Sequence, residues 1–516
     1  SRNQANWAVA FLSAMTYGAV PVPLLHEFKS SNIHHLVNHS EAKILFVDDV
    51  IWEGLTETEM PALQAIIQVN TFKLLYVADP KIEYARANLN VLFGQKYPTE
   101  FNRNCINYYE DKPDELAIIN YTSGTSGFSK GVMIPYRAVF SNLEFGRQVL
   151  PGLDSTKSVV SMLPCAHMYG LMFELLYELS VGAHVHFLSR VPSPKIIMQA
   201  LAEVKPSIVI AVPLVIEKIY KTKVKPVLEK SGIKFAMKVP GLDQVVLNKV
   251  RTELINAFGG EFYEVIVGGA AFNKEVEAFF KQMGFPITVG YGMTECAPII
   301  TYDDWSVEKL YSCGKTVPNM EIMIASPDPQ NIPGEIRVKG ANVFLGYFKN
   351  EEATKEVFTE DGWFRTGDLG EFDKDGYLYI KGRLKNMILG PSGENIYPEE
   401  IESVLNSHAF VSESVVTEQD GRLIALVHFD SEAIEKLKDE FMTKLEITRD
   451  EWNQKKDEWN KRMEEIKQEV MKYVNSKVNR FSKITAVIEE ENEFEKTPSK
   501  KIRRFLYTNK GANQKK

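Results

Sequence analysis

YTSGTSGFSKGVM, residues Tyr121 to Met133, is the stretch from which the rest of the chain is read. Gly124, Gly127 and Gly131 let backbone approach a ligand closely, Thr122, Ser123, Thr125 and Ser126 carry hydroxyl donors, and Lys130 carries a positive point charge. Backbone N–H groups, hydroxyls and an ammonium gathered on one loop suit the oxygens of a polyphosphate. The pattern is not G-x-x-x-x-G-K-[ST], because Lys130 is followed by Gly131. The flanks differ as well. Leu116 to Tyr121 (LAIINY) reads as a buried strand and Val132-Met133-Ile134 as another, so Lys130 does not open a helix. The competing reading is a Gly/Ser turn that merely joins two strands. The stretch alone supports both equally, and its surroundings decide between them.

Those surroundings are those of a large globular chain. Its 516 residues suggest about three structural units. Hydrophobic residues make up 44% and charged residues 25%, enough apolar material for a sizeable core. The net charge of −8 argues against nucleic acid as the main partner. Cys105, Cys165, Cys296 and Cys313 lie far apart with no C-x-x-C pair, so neither a zinc site nor a disulfide framework is expected, and a reducing compartment fits. No basic-then-apolar leader opens the chain, and no apolar run reaches the ~18 residues of a membrane span. The first residues read as mid-domain sequence, so a preceding segment is expected.

Helical and strand patterns alternate on both sides of the loop. Helices are expected over 7–17, 33–39, 136–149, 171–179 and 196–204, and strands over 43–47, 158–163, 183–188 and 208–212. This alternation predicts α/β layers with largely parallel sheets. His34, His35 and His39 invite a metal reading, but no H-E-x-x-H accompanies them and a solvated helix face is expected. The segment 218–240, with Lys218, Lys221, Lys223, Lys225, Lys230, Lys234 and Lys238, reads as solvated surface. Glu264 to Val267 reads as a strand, and Asn273 as the N-cap of a helix from Lys274. From Met320 short strands with Gly, Asp and Asn turns predict a small antiparallel unit. Beyond Arg383 the texture becomes α+β. Its long charged helix, 449–478, opens with a Thr448-x-x-Glu451 capping box and carries Trp452, Trp459, Ile466 and Tyr473 at heptad spacing; packing on its own domain is the expected role.

Further clusters carry chemistry-bearing residues. In GYGMTE (290–295), Tyr291 could stack on a base, Thr294 could bond a phosphate oxygen, and Glu295 could hold Mg²⁺, which takes one or two carboxylates plus phosphates. In WFRTGD (363–368), Asp368 could accept from both hydroxyls of a ribose. KGRLKNMI (381–388) and KTPSKKIRR (496–504) are basic stretches that alone read as solvated surface.

Taken in order, the glycine loop, GGAA, GYGMTE, GEIRVKG, FRTGD, GRLKNMI and KT-x-S-x-K-I-x-R resemble the adenylate-forming (AMP-binding) superfamily over essentially the whole chain. The resemblance implies an α/β fold. Its large N-terminal domain, residues 1–383, has two α/β lobes and a small β lobe; a smaller mobile α+β C-terminal domain, 384–516, turns on a hinge near Lys385. It implies that Thr122, Ser123, Gly124, Thr125, Ser126, Gly127 and Lys130 cover the β- and γ-phosphates of ATP. Gly269, Ala270 and Ala271 would line the adenine and acyl pocket, with Tyr291, Gly292 and Met293 alongside. Thr294 would touch the α-phosphate, and Glu295 would bind Mg²⁺ with Thr122 as a second contact. Asp368 and Arg383 would hold the ribose, and Lys385 could reach the nucleotide. His167 and Gly269 would face the acyl group, and Lys501 would be the catalytic lysine. Two departures stand out: the family usually has Pro where Ser129 stands and Gly where Lys500 stands. Lys501, which precedes Ile502-x-Arg504, is taken as the lysine in register.

The implied reaction joins two anions. A carboxylate attacks the α-phosphorus of ATP, pyrophosphate leaves, and a thiol then attacks the acyl adenylate. Glu295-bound Mg²⁺, Lys130 and Lys501 would screen the repulsion. PCAHMYGLMFELLYEL and AVPLVIEKIYKTKVKPVL resemble long-chain fatty acyl-CoA synthetases, which implies a ligase of lipid metabolism with fatty acid, ATP and coenzyme A as substrates, cytoplasmic or peripheral on the inner face of the membrane. An acyl carrier protein acceptor, an aryl or medium-chain acid, and an inactive nucleotide-binding regulator are the alternatives. Homodimerisation and membrane contact stay open.

Overall fold

The computed structural model describes residues 1–122, 129–150, 152–190, 192–390, 394–419, 421–444, 456–497 and 501–508. The hairpin that brackets the glycine loop is antiparallel. Leu116–Thr122 pairs with Lys130–Pro135 so that Thr122 lies opposite Lys130 and Tyr121 opposite Gly131. Ser123, Gly124, Thr125, Ser126 and Gly127 lie outside the described residues. The helix Tyr136–Val149 follows directly, as its periodicity predicts.

Elsewhere in this half the parallel sheets appear. Ile208–Ala211, Glu264–Val267 and Ile287–Val289 form a three-stranded parallel sheet, every residue of which is buried. Unbroken runs such as IVIA and EVIV suit strands covered on both faces. Ser158–Ser161 and His184–Phe187 form another parallel pair, as do Ile44–Val47 and Ala65–Gln68. One apolar core gathers around Ile118, Ile134, Met168, Leu171 and Phe344; a second surrounds Val209, Val265, Leu247, Phe280 and Phe285. The region from Met320 is the expected antiparallel unit: Met320–Ala325, Gly334–Gly340, Phe364–Phe372 and Leu378–Arg383 lie side by side in chain order.

Past Arg383, a core of Ile396, Ile401, Leu405, Val416, Val427, Ile466 and Val470 joins the helix Pro398–Asn406, the strands Val411–Gln419 and Arg422–Phe429, and the helix Lys456–Lys477. Met463, Ile466, Val470 and Val474 are all buried, so the long helix does pack on its own surroundings. Its capping box and Trp452 fall outside the described residues.

The lysine-rich segment 218–240 is the expected solvated surface: Lys218, Lys221, Lys223, Lys230, Lys234 and Lys238 are exposed, on a mostly helical stretch anchored by the buried Ile219 and Val224. One expectation is corrected: His34 does not lie on a solvated face. It is buried, its Nε2 accepts from the Thr56 N–H at 3.0 Å, and its Nδ1 pairs with Glu59 at 2.8 Å. No helix among the described residues is long and apolar enough to cross a membrane.

Candidate active site

The register of the antiparallel unit makes the first cluster. Asp368 lies directly opposite Arg383 on neighbouring strands. The Arg383 Nε–H donates to Asp368 Oδ1 at 2.7 Å, and the Tyr291 hydroxyl donates to Oδ2 at 2.7 Å. Asp368 is buried, and burial raises its carboxyl above the ordinary value even though Arg383 and Tyr291 pull the other way. A carboxylate has about four lone-pair sites, so two remain for a pair of hydroxyls.

The second cluster forms at a sharp turn. After Tyr291–Gly292 a short 3₁₀ turn, Thr294–Cys296, buries Glu295. Gly292 is required there, because a Cβ would collide with the Pro298 carbonyl. The Tyr347 hydroxyl donates to Glu295 Oε1 at 3.0 Å, and Lys130 Nζ stands 4.6 Å from the centre of the same Tyr347 ring. Burial raises the Glu295 carboxyl, while Tyr347, Arg383 and Lys501 oppose the shift. Thr122 and Lys130 are paired across the hairpin, and the Thr122 hydroxyl reaches the Lys130 carbonyl at 3.5 Å. A lone buried carboxylate with a basic side chain nearby fits a magnesium ion shared with phosphates better than an all-protein metal cage. Among the described residues no group of three or more His, Cys, Asp or Glu could hold a metal.

Beside Tyr291 and Thr294 lies an apolar cavity. His167, Gly269, Tyr291, Gly292, Met293 and Thr294 line it, and Phe145, Tyr169, Phe173, Ile266 and Tyr302 supply apolar wall. Gly269 takes a left-handed φ of 87° at the end of its strand. Ala270 and Ala271 follow on an exposed loop. His167 caps the helix that follows, its Nδ1 accepting from the Tyr169 N–H at 3.3 Å. With Nδ1 accepting, the ring proton belongs on Nε2, which makes His167 a neutral donor. Burial first and the charge of Lys501 second push its pKa down to about 4, so it stays neutral through physiological pH.

Lys501 comes from the far end of the chain into this field. The residue is exposed by area, but desolvation of its ammonium lowers its pKa, Arg383 adds to the effect, and Asp368 and Glu295 oppose it. Lys501, His167, Glu295, Asp368 and Arg383 therefore share one electrostatic neighbourhood. Lys385 is exposed on the turn Leu384–Asn386. Tyr347 and the aromatic cavity wall were missed by sequence reasoning. The one available signal for Tyr347 was the GYF run at 346–348, which carries no periodicity of its own.

The family of AMP-binding enzymes matches residues 1–348. The long-chain-fatty-acid–CoA ligase ACSBG2 of Gallus gallus is 29% identical over 455 residues, covering 82% of this chain and 59% of that protein. The long-chain-fatty-acid–CoA ligase FadD15 of Mycobacterium tuberculosis is 28% identical over 472 residues, covering 84% of this chain and 73% of that protein. The chain thus spans from under two thirds to about three quarters of the length of such relatives. Among solved structures, ATP-bound MatB from Rhodopseudomonas palustris superposes with a TM-score of 0.72 at 21% identity, over 98% of this chain and 86% of that one. MenE, an O-succinylbenzoate coenzyme A synthetase from Bacillus subtilis in complex with ATP and magnesium ion, gives 0.69 at 22% identity, over 98% and 87%. At such identities the superpositions establish the fold alone.

Proposed function

This chain belongs to the AMP-binding enzyme family, and on that footing we propose that it activates a long-chain fatty acid with ATP and passes the acyl group to coenzyme A. The observation that carries the reading is that Lys501 lies within electrostatic reach of Asp368, Glu295 and His167, beside an apolar cavity lined by His167, Tyr291 and Thr294. Polar groups beside such a cavity suit a triphosphate and a carboxylate. The apolar wall suits an alkyl chain, each buried methylene of which is worth about 0.8 kcal/mol.

In this reading Asp368 accepts from the ribose hydroxyls while Arg383 and Tyr291 hold it still. Tyr291 covers the base and Thr294 bonds the α-phosphate. Lys130 and the loop around it face the β- and γ-phosphates. Glu295, with Thr122, would hold Mg²⁺, and that ion supplies positive charge to the departing pyrophosphate. The His167 Nε2–H orients the substrate carboxylate. Lys501 screens the approach of one anion to another and stabilises charge moving to the leaving group. An acyl adenylate results, and a thiol then attacks its acyl carbon.

The second half-reaction needs Lys501 out of the way. A boundary between 383 and 384 with its hinge at Lys385 would allow that rotation. Support comes from the separate core past residue 396 and from the polar character of its contacts with the rest: Asn273 Nδ2 donates to Ser407 Oγ at 2.9 Å, and the Tyr473 hydroxyl donates to Glu275 at 2.7 Å.

A peripheral contact with an anionic membrane is part of the proposal. Phe235 (69% exposed) stands among the lysines of 218–240, and Val245 (64% exposed) follows on the next helix, Leu242–Ala257. Sedimentation with vesicles of anionic and neutral lipid tests this; equal recovery with both would remove it.

The function is tested by pyrophosphate release across a panel of acid chain lengths, with coenzyme A and acyl carrier protein offered separately. Release that depends on long-chain acid, followed by thioester on coenzyme A, is expected. Release with no acid preference or none at all would overturn the reading, and thioester only on carrier protein would change the acceptor.

A further inference from the structure

Lys130 and Glu295 carry opposite charges at one site yet do not form an ion pair. Tyr347 stands between them. Its ring faces the Lys130 ammonium, 4.6 Å from the centroid, and its hydroxyl bonds Glu295 Oε1 at 3.0 Å. Tyr347 is itself buried, and its position is fixed from both sides. Residues 345–348 run along the edge of the strand Lys130–Pro135. The Leu345 N–H donates to the Met133 carbonyl at 2.9 Å, the Met133 N–H to Gly346 at 3.0 Å, and the Phe348 N–H to Gly131 at 2.7 Å. On the other side the Phe344 N–H donates to the Glu295 carbonyl at 2.9 Å. One short segment is thereby stitched to the base of the glycine loop and to the turn that bears the carboxylate.

We propose that Tyr347 is a positioning residue that holds Lys130 and Glu295 at fixed places while keeping them apart. The inference rests on the functional reading above. A direct pair between ammonium and carboxylate would quench both charges before any phosphate arrived. An aromatic face attracts an ammonium through its quadrupole without neutralising it, so Lys130 keeps its full charge for the triphosphate. The hydroxyl occupies one oxygen of Glu295 and restrains the plane of the carboxylate. An acidic residue at 347 would bind the lysine more strongly and cancel it. An aliphatic one would hold neither partner.

The two ends of Tyr347 can be tested separately. Tyr347→Phe keeps the ring and removes the hydroxyl; Tyr347→Leu removes both. The ring is read without metal, by calorimetric titration of ATP in EDTA. Tyr347→Phe should match the wild type within twofold, and Tyr347→Leu should bind about fivefold more weakly or worse. In a Lys130→Ala background the same Tyr347→Leu change should cost nothing further. The hydroxyl is read by Mn²⁺ binding to the enzyme–ATP complex in electron paramagnetic resonance. Tyr347→Phe should raise the Mn²⁺ concentration for half-saturation about fivefold, with ATP affinity in EDTA unchanged. Wild-type Mn²⁺ binding by Tyr347→Phe, or a loss in Tyr347→Leu that persists undiminished without Lys130, would overturn the proposal. Should Tyr347→Leu fail to fold, the Tyr347→Phe arm decides alone. Failure of the functional reading shows differently: the wild type would release no pyrophosphate, while the metal-free ATP titration would still report on the ring.

Discussion

Replacing Asp368 with Asn separates what this residue does for the fold from what it does for a nucleotide. The two volumes are nearly equal, so packing is conserved and only the charge is removed. In the ligand-free protein the carboxylate accepts from Arg383 and Tyr291, both at 2.7 Å. A structural ion pair would make Asn costly: converting two charge-assisted bonds to neutral ones forfeits roughly 1 kcal/mol each. The titration of Asp368 points the other way. Its pKa is raised, with burial the largest cause, so the ionised form costs the folded state more than its partners return. Removing the charge relieves that cost, and Asp368→Asn should melt at or above the wild-type temperature. The loss appears on binding. A carboxylate can accept from both ribose hydroxyls, whereas an amide offers one acceptor and a misdirected donor. One charge-assisted bond is worth about 1.5–3 kcal/mol, or roughly 10- to 150-fold in affinity. Thermal unfolding monitored by circular dichroism and calorimetric titration with ATP give the two quantities. A melting temperature several degrees lower with ATP affinity unchanged within twofold would make Asp368 a structural residue and refute the reasoning.

Lys501→Ala should slow adenylate formation by about a hundredfold or more, in line with the loss of one preorganised charge at a transition state, and should affect thioester formation from supplied acyl adenylate far less; equal losses in both half-reactions, measured by rapid quench, would contradict its role. Glu178 is buried with Oε2 lacking a hydrogen-bond partner among the described residues, and burial pushes its carboxyl up to about 8 from 4.5. Its stabilising contribution is therefore complete below about pH 4.5 and lost as pH rises through about 8, so Glu178→Gln should shrink the fall in melting temperature between pH 5 and pH 8.5; an unchanged slope counts against it. Gly292→Ala places a methyl group against the Pro298 carbonyl and should destabilise by about 1–3 kcal/mol in denaturant titration while disturbing Glu295 three residues onward; wild-type stability would show that the turn yields freely.

Much of this was legible because the chemistry sits on short contiguous motifs. GYGMTE delivers Tyr291, Thr294 and Glu295 within one turn, and a turn's shape depends on its own residues. The continuous apolar runs of the parallel sheet, the N-cap at Asn273, whose Oδ1 accepts from the N–H groups of Glu275 and Val276, and the four antiparallel strands after Met320 are likewise local properties. The lysine-rich segment reads as solvated surface for the same reason, and only the core that receives Ile219 and Val224 escapes the sequence. The burial of His34 also escaped, since one turn of polar helix gives no sign of what covers it.

Taken alone, then, the chain order of its motifs determined the family and the α/β layering, and proposed Asp368, Arg383, Glu295, Lys130 and Lys501 as site candidates. Only the tertiary structure decided that Asp368 answers both Arg383 and Tyr291, that Phe145, Phe173 and Tyr302 wall one cavity, and that Tyr347 separates Lys130 from Glu295. Turn and strand signals arise from neighbours along the backbone, where steric and hydrogen-bonding preferences act over a few residues. Contacts between residues 130, 295 and 347 exist because sheet edges and a shared core bring distant segments together, and that closure leaves no mark in any single stretch of sequence.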